Sequence, residues 1–367
     1  MIVKELFLDG FRNYGGVTAR FSDGVNVIAG KNAQGKTNLI EGIYYLTAGH
    51  SFRQAGDRDL ISFDRDSACI RAGVESGGRD QMLEARLFRG RRRELCANGV
   101  KLKKAAELAG RLTAVMFGPD DLDMIKGGAA VRRRLLDQCL SQLRPGYLMS
   151  LTEFNRLLDH KTRILRDHYI KPSLLELLDD YDLRLAQQSA RLIYYRSAFT
   201  AVLSVKASET HGEISGGAEA LAIRYKTVGD MDASGKTPEQ ILPGLLEHQR
   251  AHRQAELKTG SCLSGAHKDD LEIEINGVPA RKFASQGQAR TAAVSIKLAE
   301  RDAHFEDKGE YPVLLLDDVL SELDSGRQSY ILGRIKTGQV FVTCCGDDAA
   351  PAARSGAVLR VENGKIM

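Results

Sequence analysis

The first eleven residues, MIVKELFLDGF, alternate apolar and polar side chains, the period of a half-buried strand. A continuous apolar run, Val25-Asn26-Val27-Ile28-Ala29, predicts a buried strand, and Ile40, Ile43, Tyr44 and Leu46 predict a helix with an apolar stripe. Alternation returns in a meander from Cys69-Ile70-Arg71-Ala72 to Leu87-Phe88, followed by a hairpin turned at Asn98-Gly99. From Asp120 to about Glu256 the spacing changes to three and four, predicting a series of helices interrupted by a polar loop at 211–217 and one strand-like run, 220–228. After Leu263 strands return, with a second hairpin at Asn276-Gly277, a helix from Gln286 to about Asp302, and strands near Val313, Val340 and Val358. The pattern is that of an α/β domain split into 1–119 and 257–367, with a mainly helical arm, 120–256, inserted in it.

The 367-residue length allows two such lobes, each with its own core. No stretch approaches the roughly 20 apolar residues of a membrane span, and the alternating N-terminus is unlike a signal peptide, so a soluble, cytoplasmic protein with no membrane partner is expected. Six cysteines at scattered spacings, without CxxC, indicate reduced thiols rather than a zinc site or disulfide framework. His248 and His252 lack the glutamate of a metalloprotease helix and read as a solvated helix face. The net charge of +4 is too small to indicate nucleic acid, but Arg89, Arg91, Arg92 and Arg93 lead into the Asn98-Gly99 hairpin and Lys101, Lys103 and Lys104 follow on its return strand. Such a ribbon either tracks a phosphate backbone or is a solvated hairpin whose lysines guard a sheet edge. Arg132-Arg133-Arg134 leaves the same two alternatives open.

The chemistry is concentrated in three motifs. Gly30-Lys31-Asn32-Ala33-Gln34-Gly35-Lys36-Thr37 completes GxxxxGKT between a strand and a helix that continues through Asn38. Gly30 and Gly35 let backbone N–H groups turn toward an anion, Lys36 reaches the β- and γ-phosphates of ATP, and Thr37 offers its hydroxyl to Mg²⁺. A second GKT, Gly235-Lys236-Thr237, has Asp230 where the earlier glycine is required and no preceding strand, and reads as a polar loop. Tyr311 to Asp318, YPVLLLDD, is a Walker B pattern: Asp317 holds Mg²⁺ directly or through water, and Asp318 is placed as the general base that polarises the attacking water. Ser285-Gln286-Gly287-Gln288 begins a helix upstream of Walker B, with Ser285 as its cap, and Ser321-Glu322-Leu323-Asp324 follows Walker B.

That order is the one found in ABC-type ATPases, where the signature contacts the γ-phosphate held by the other subunit. With GFRNY at 10–14, AGKNAQGKTNLIEGIYYL, HSFRQ at 50–54, RRRLLD ending at Asp137, FASQGQART and LLLDDVLSELD, the chain resembles the RecF family of bacterial recombinational-repair ATPases, related to SMC heads, over nearly its full length. The resemblance implies an ABC/SMC-type P-loop head that binds ATP and Mg²⁺, forms an ATP-dependent homodimer, hydrolyses slowly in a DNA-dependent manner, binds double-stranded, gapped or junction DNA, and works with RecR, and through it RecO, in placing RecA. It also implies that Arg12 and Asn13 lie beside the phosphates, that Ser285 and Gly287 act in trans, and that Asp324 shapes the dimer contact. Two departures stand out: Gly265-Ala266-His267-Lys268-Asp269-Asp270 replaces the family's GPHRDD, and Thr343-Cys344 stands where transporters place a switch histidine, as befits a slow timer.

A transporter ATPase subunit is the first alternative, but such subunits place P-loop and signature much closer than Gly35 and Ser285 stand here, and the signature reads SQGQ rather than LSGGQ. A kinase or GTPase leaves SQGQ and SELD unexplained, and no NKxD follows the P-loop. A full SMC protein needs hundreds of heptad residues where 120–256 can form only a short arm.

Overall fold

The computed structural model describes residues 1–53, 55–335, 337–345 and 356–367. Gln54, the last residue of HSFRQ, lies outside them. The apolar runs Val25–Ala29, Val313–Asp317 and Val340–Cys344 are central parallel strands, buried almost throughout because helices or a second sheet cover both faces. Ala114–Phe117 flanks them on one side and Gly356–Glu362 on the other, and Lys365–Ile366 closes the far edge as an antiparallel hairpin strand. The register sets Asp317 beside Thr343 and Thr343 beside Ile28. Three strands thus end together, and whatever follows them emerges at one edge.

A second sheet is antiparallel, in the order Tyr14–Arg20, Ile2–Phe11, Ser67–Ser76, Arg79–Phe88, Glu94–Ala97, Val100–Lys101. Its alternating burial follows the alternating sequence. The helix Lys36–Ala48 packs in one core with residues of both sheets. The sequence predicts one apolar stripe for it, yet every residue from Leu39 to Ala48 is buried. Gly42 fits where a Cβ would come within 2.8 Å of Leu8 Cδ2, which shows how closely the helix lies on the antiparallel sheet. Asn98 and Gly99 both have positive φ, 51° and 77°, as a two-residue hairpin turn requires. The return strand is only Val100–Lys101; Lys103 and Lys104 lie beyond it, not on it as expected, because Glu107 takes both of their backbone N–H groups and turns the chain into a short 3₁₀ helix.

The remaining helices, Ala129–Leu143, Pro145–Asp167, Leu178–Ile214 and Pro238–Thr259, share one core with Gln286–Lys308 and with a three-stranded sheet of Leu221–Lys226, Asp270–Ile275 and Val278–Pro279. That sheet takes strands from both sides of residue 257, so packing is continuous across the expected boundary. His248 and His252 are half-buried and stacked at 4.0 Å, with His248 Nδ1 2.6 Å from Ser264 Oγ, rather than a solvated face.

Buried ion pairs and charged hydrogen bonds fasten these layers and account for two of the three arginines at 132–134. Arg132 is fully enclosed, with Nε and Nη2 donating to Asp270 at 2.7 and 2.8 Å, and Arg133 donates to the carbonyl of Asp269. Arg196, also enclosed, donates to Asp137 Oδ1 at 2.7 Å, to Tyr147 Oη at 2.9 Å and to the carbonyl of Ala266 at 2.7 Å, with Asp269 Oδ2 at 3.9 Å. The last residue of RRRLLD and the carboxylates of GAHKDD therefore meet in one network. Replacing Arg196 by Met strands Asp137 and Asp269 in the interior, and the expected cost is about 3–5 kcal/mol in chemical denaturation, where a surface Arg→Met change costs little.

Candidate functional site

The P-loop closes over the start of its helix. Gly35, the residue before Lys36, has φ 116°, and a Cβ there would stand 2.7 Å from Asn13 Nδ2 and 3.1 Å from the Tyr14 hydroxyl; at Gly30 it would meet the carbonyl of Val361 at 2.4 Å. Neither position admits a side chain. Lys36 Nζ donates to the carbonyls of Gly30 and Lys31 at 2.8 and 2.9 Å and lies 3.5 Å from Cys345 Sγ, whose thiol donates to Asn32 Oδ1 at 2.7 Å. The ammonium thus sits inside the arc of the loop, while Lys31, Asn32 and Ala33 are exposed at its crest and Gln34 is half-buried. Asn13 Nδ2 donates to the carbonyl of Gln34 at 2.9 Å, Asn38 Nδ2 donates to Asn13 Oδ1 at 2.9 Å, and Tyr14 Oη donates to the carbonyl of Gly35 at 2.9 Å. The C-terminal turn Asn363-Gly364 donates its two N–H groups to Gln34 as well.

At the neighbouring strand end, Asp317 Oδ1 accepts from Thr37 Oγ1 at 2.9 Å and from Thr343 Oγ1 at 2.8 Å. Burial raises the pKa of Asp317 above its ordinary value, and the hydrogen bonds from Thr343 and Thr37 oppose that. Two hard oxygen ligands side by side, one an anion, suit Mg²⁺. Asp318 follows with φ 54°, left-handed and costly for a non-glycine residue; its N–H donates to Thr343 Oγ1 at 2.9 Å and Ser321 Oγ donates to its carbonyl at 2.6 Å. The loop, the lysine, the paired oxygens and the second carboxylate converge as a nucleoside triphosphate with Mg²⁺ requires.

Arg12, expected beside the phosphates, is held by a carboxylate of the P-loop helix. Its guanidinium forks onto Glu41, both bonds at 2.9 Å, and Glu41 is wholly buried, accepting also from Ser51 Oγ at 2.5 Å with Arg53 3.8 Å away. Glu41, in the middle of an apolar helical stripe, was the visible signal that a cation must be brought to it. His50 of HSFRQ is half-buried against Tyr44, and the desolvation of its ring lowers its pKa to about 4. Arg53 is exposed and donates to Asn38 Oδ1 at 3.1 Å, lining a cleft of 190 Å³ with Asp317, Gly118, Asp121 and Arg134.

The signature forms its cap as expected: Gln288 N–H donates to Ser285 Oγ at 3.1 Å, and Ser285 N–H donates to Gln288 Oε1 at 2.9 Å. Ser285 and Gln286 are exposed. A Cβ at Gly287 would meet nothing closer than 3.6 Å, so no described part of this chain demands glycine there. Asp324 caps the helix Ser325–Arg334, and Ser321 and Asp324 are exposed. Among the described residues no hydrogen bond joins 285–288 to the P-loop.

The basic ribbon divides. Arg93 is structural, donating to Asp57 at 3.1 Å and the Tyr45 hydroxyl at 3.2 Å, and Arg89 donates to the carbonyls of Ile61, Ser62 and Arg65. Arg91 and Lys101 both hold Glu94, at 2.7 and 2.8 Å, and Arg91 stacks 3.4 Å from the Phe88 ring. Arg92, Lys103 and Lys104 are exposed.

A family model for the RecF/RecN/SMC N terminal domain matches residues 2–366. The chain is 37% identical over 368 residues to a DNA replication and repair protein RecF of Clostridium acetobutylicum, covering 100% of this chain and 99% of that one. A RecF of Alkaliphilus oremlandii is 40% identical over 346 residues, 94% of this chain and 93% of its own. Among solved structures, the recombination mediator protein RecF-ATPrS in the RecFOR pathway matches with a TM-score of 0.92 at 34% identity, covering 100% of this chain and 97% of that chain. The RecF-ATP structure of that pathway gives 0.90, at 34% identity and with 100% and 96% coverage. An SMC head bound to the C-winged helix domain of ScpA, at 17% identity, TM-score 0.54 and 100% and 98% coverage, shares the fold.

The raised pKa of Asp317 has a direct consequence. A carboxyl whose folded pKa exceeds its unfolded value holds its proton more tightly when folded, so it subtracts stability as pH rises through that window, and any cation that needs the ionised carboxylate is held less well as pH drops through it. Thr343→Val removes a donor to the carboxylate and is expected to move the pH midpoint of Mg²⁺-dependent ATP binding upward in calorimetry; an unmoved midpoint means Asp317 is not the titrating ligand.

Proposed function

The chain belongs to the RecF family of DNA replication and repair proteins, and we propose that it is an ATP-gated DNA clamp of recombinational repair and replication restart. In this reading it acts in the cytoplasm as a slow, DNA-dependent ATPase whose dimer closes on gapped or junction DNA. With RecR, and through it RecO, it assists the loading of RecA. No helix among the described residues is long and apolar enough to cross a membrane. The observation that carries the ATPase reading is the 2.9 Å approach of Thr37 Oγ1 to Asp317 Oδ1 at the mouth of the P-loop.

Lys36 turns from the loop carbonyls to the β- and γ-phosphates, and the N–H groups of 30–37 and the helix N-terminus carry the rest of the negative charge. Thr37 and Asp317 would hold Mg²⁺, which would supply charge neutralisation to the phosphates. Asp318 accepts the proton of the attacking water on its carboxylate, its left-handed backbone held by the bond from its N–H to the Thr343 hydroxyl. Asn13 fixes the loop, and Arg12 reaches the phosphates only by leaving Glu41. Ser285, Gln286, Gly287 and Gln288 face the nucleotide of a second copy, with Ser321 and Asp324 beside them; the dispensability of glycine at 287 within this chain supports an approach from outside it.

The division into a head, 1–119 and 257–367, and an arm, 120–256, belongs to this proposal, with the shared sheet and core making them one mechanical body. For DNA, the exposed Arg92, Lys103 and Lys104 are the better-supported contacts of the ribbon, with Arg91 and Lys101 available if Glu94 releases them.

Anisotropy of a labelled gapped duplex, with light scattering for the dimer, tests the reading. Wild type should bind tightly only with ATP and Mg²⁺, Lys36→Met should lose both dimer and DNA binding, and Asp318→Asn should bind ATP, lose turnover and stay dimeric on DNA. ATP-independent binding by all three would sink the gate. In the same assay, reversing Arg92, Lys103 and Lys104 to Glu should weaken every sequence alike and flatten the log K against log salt slope by about 0.9 per lost phosphate contact; an unchanged slope returns the ribbon to a solvated edge.

A further inference from the structure

Arg327 lies in the first turn of the helix Ser325–Arg334, and its side chain joins two elements that sequence places far apart. Its backbone N–H donates to Asp324 Oδ1 at 3.1 Å, and Nη1 donates to Asp324 Oδ2. Across the gap to the helix Gln286–Lys308, Nη2 donates to the carbonyl of Gly287 at 2.8 Å and to Thr291 Oγ1 at 2.6 Å, and Nε donates to Thr291 Oγ1 at 3.0 Å. Thr291 is itself set by donating to the carbonyl of Gly287 at 3.0 Å. The next residue, Gln328, donates to the carbonyls of Leu320 and Leu323 at 2.7 and 2.9 Å, while Ser321 donates to the carbonyl of Asp318. Hydrogen bonds and short backbone links therefore run from the Asp317-Asp318 strand end, through the turn of 321–324, here called the D-loop, to the carbonyl of the signature glycine.

Helix stability does not account for this placement. A guanidinium beside the first turn of a helix is of the wrong sign for the helix dipole. It does suit a surface that receives an anion, and the planar fork spans a carboxylate and a carbonyl with donors fixed in one plane, a geometry that the point charge of an ammonium does not set.

We propose that Arg327 is a positioning residue that couples the two nucleotide sites of the closed dimer. It locks the signature turn to the D-loop, so that displacement of the Asp318 strand end in one site shifts the signature presented to the other. The proposal rests on the sandwich reading above.

Sedimentation velocity in ATP and Mg²⁺, calorimetric ATP affinity of the dilute monomer and the Hill coefficient of hydrolysis test it together. Arg327→Ala and Arg327→Lys should keep monomer ATP affinity, raise the dimerisation midpoint about tenfold or more and lower the Hill coefficient toward one. Thr291→Ala, which spares Arg327 and Asp324, should show the same pattern in milder form, and Thr291→Ser should restore wild-type behaviour. If Arg327→Ala unfolds by circular dichroism, the Thr291 pair decides the matter. Wild-type dimerisation with unchanged midpoints and Hill coefficients in the variants overturns the coupling, whereas a wild type that stays monomeric in ATP overturns the sandwich itself.

Discussion

One carboxylate oxygen, Asp317 Oδ1, ties together three stretches of chain: Thr37 opens the P-loop helix, Asp317 ends one central strand and Thr343 ends the next. The contact exists because the strands are parallel and in a register that sets Asp317 against Thr343 and Thr343 against Ile28. A slip of one residue in either ladder would carry alternate side chains to the opposite face and leave the carboxylate without one of its donors. The continuous apolar character of these strands, with helices and a second sheet over their faces, fixes the register, so core packing and ligand chemistry are the same constraint.

Around that edge the molecule is held by enclosed ion pairs rather than by apolar packing alone. Arg132 with Asp270, and Arg196 with Asp137 and Asp269, bind the helices of the inserted segment to the strand that follows it. Lys161, fully buried between Asp182 and Glu256 at 2.7 Å each, repeats the device within the arm. Such pairs add little net stability over an apolar core, but they punish any misplacement of one partner strongly. Their effect is to fix how the helices of 120–256 sit on the strand that follows them.

Local spacing made much of this legible. GxxxxGKT, LLLDD and the Ser285 cap are short-range patterns whose chemistry follows from adjacent residues, and the apolar runs announced the central strands. What spacing could not supply is the destination of long side chains. Arg93 and Arg92 are neighbours in sequence, yet one is held by Asp57 and Tyr45 and the other is exposed. Arg12 stands beside the P-loop and is bound by Glu41, twenty-nine residues later. Nothing in the spacing singles out Arg327, because Gly287 and Thr291, its partners, lie 40 and 36 residues earlier. An arginine can reach across several ångströms in any direction, so its partner is chosen by the fold and not by the period of its own element. Likewise the P-loop helix read as amphipathic because its second contact, the antiparallel sheet, comes from distant strands.

Thr343 shows how a departure from a pattern can be read physically. Its hydroxyl donates to Asp317 and accepts from the N–H of Asp318, so one side chain fixes the Asp317 carboxylate and the backbone of Asp318. A histidine at such a position can gain and lose a proton near neutral pH and report on a phosphate; a threonine has no comparable titration and holds a fixed dipole. The group therefore organises geometry without switching charge. Asp318 beside it is held in a left-handed conformation that only its surroundings maintain. On the reading proposed above, a site preorganised on one side in this way is completed from the other, and its rate follows the encounter between two copies.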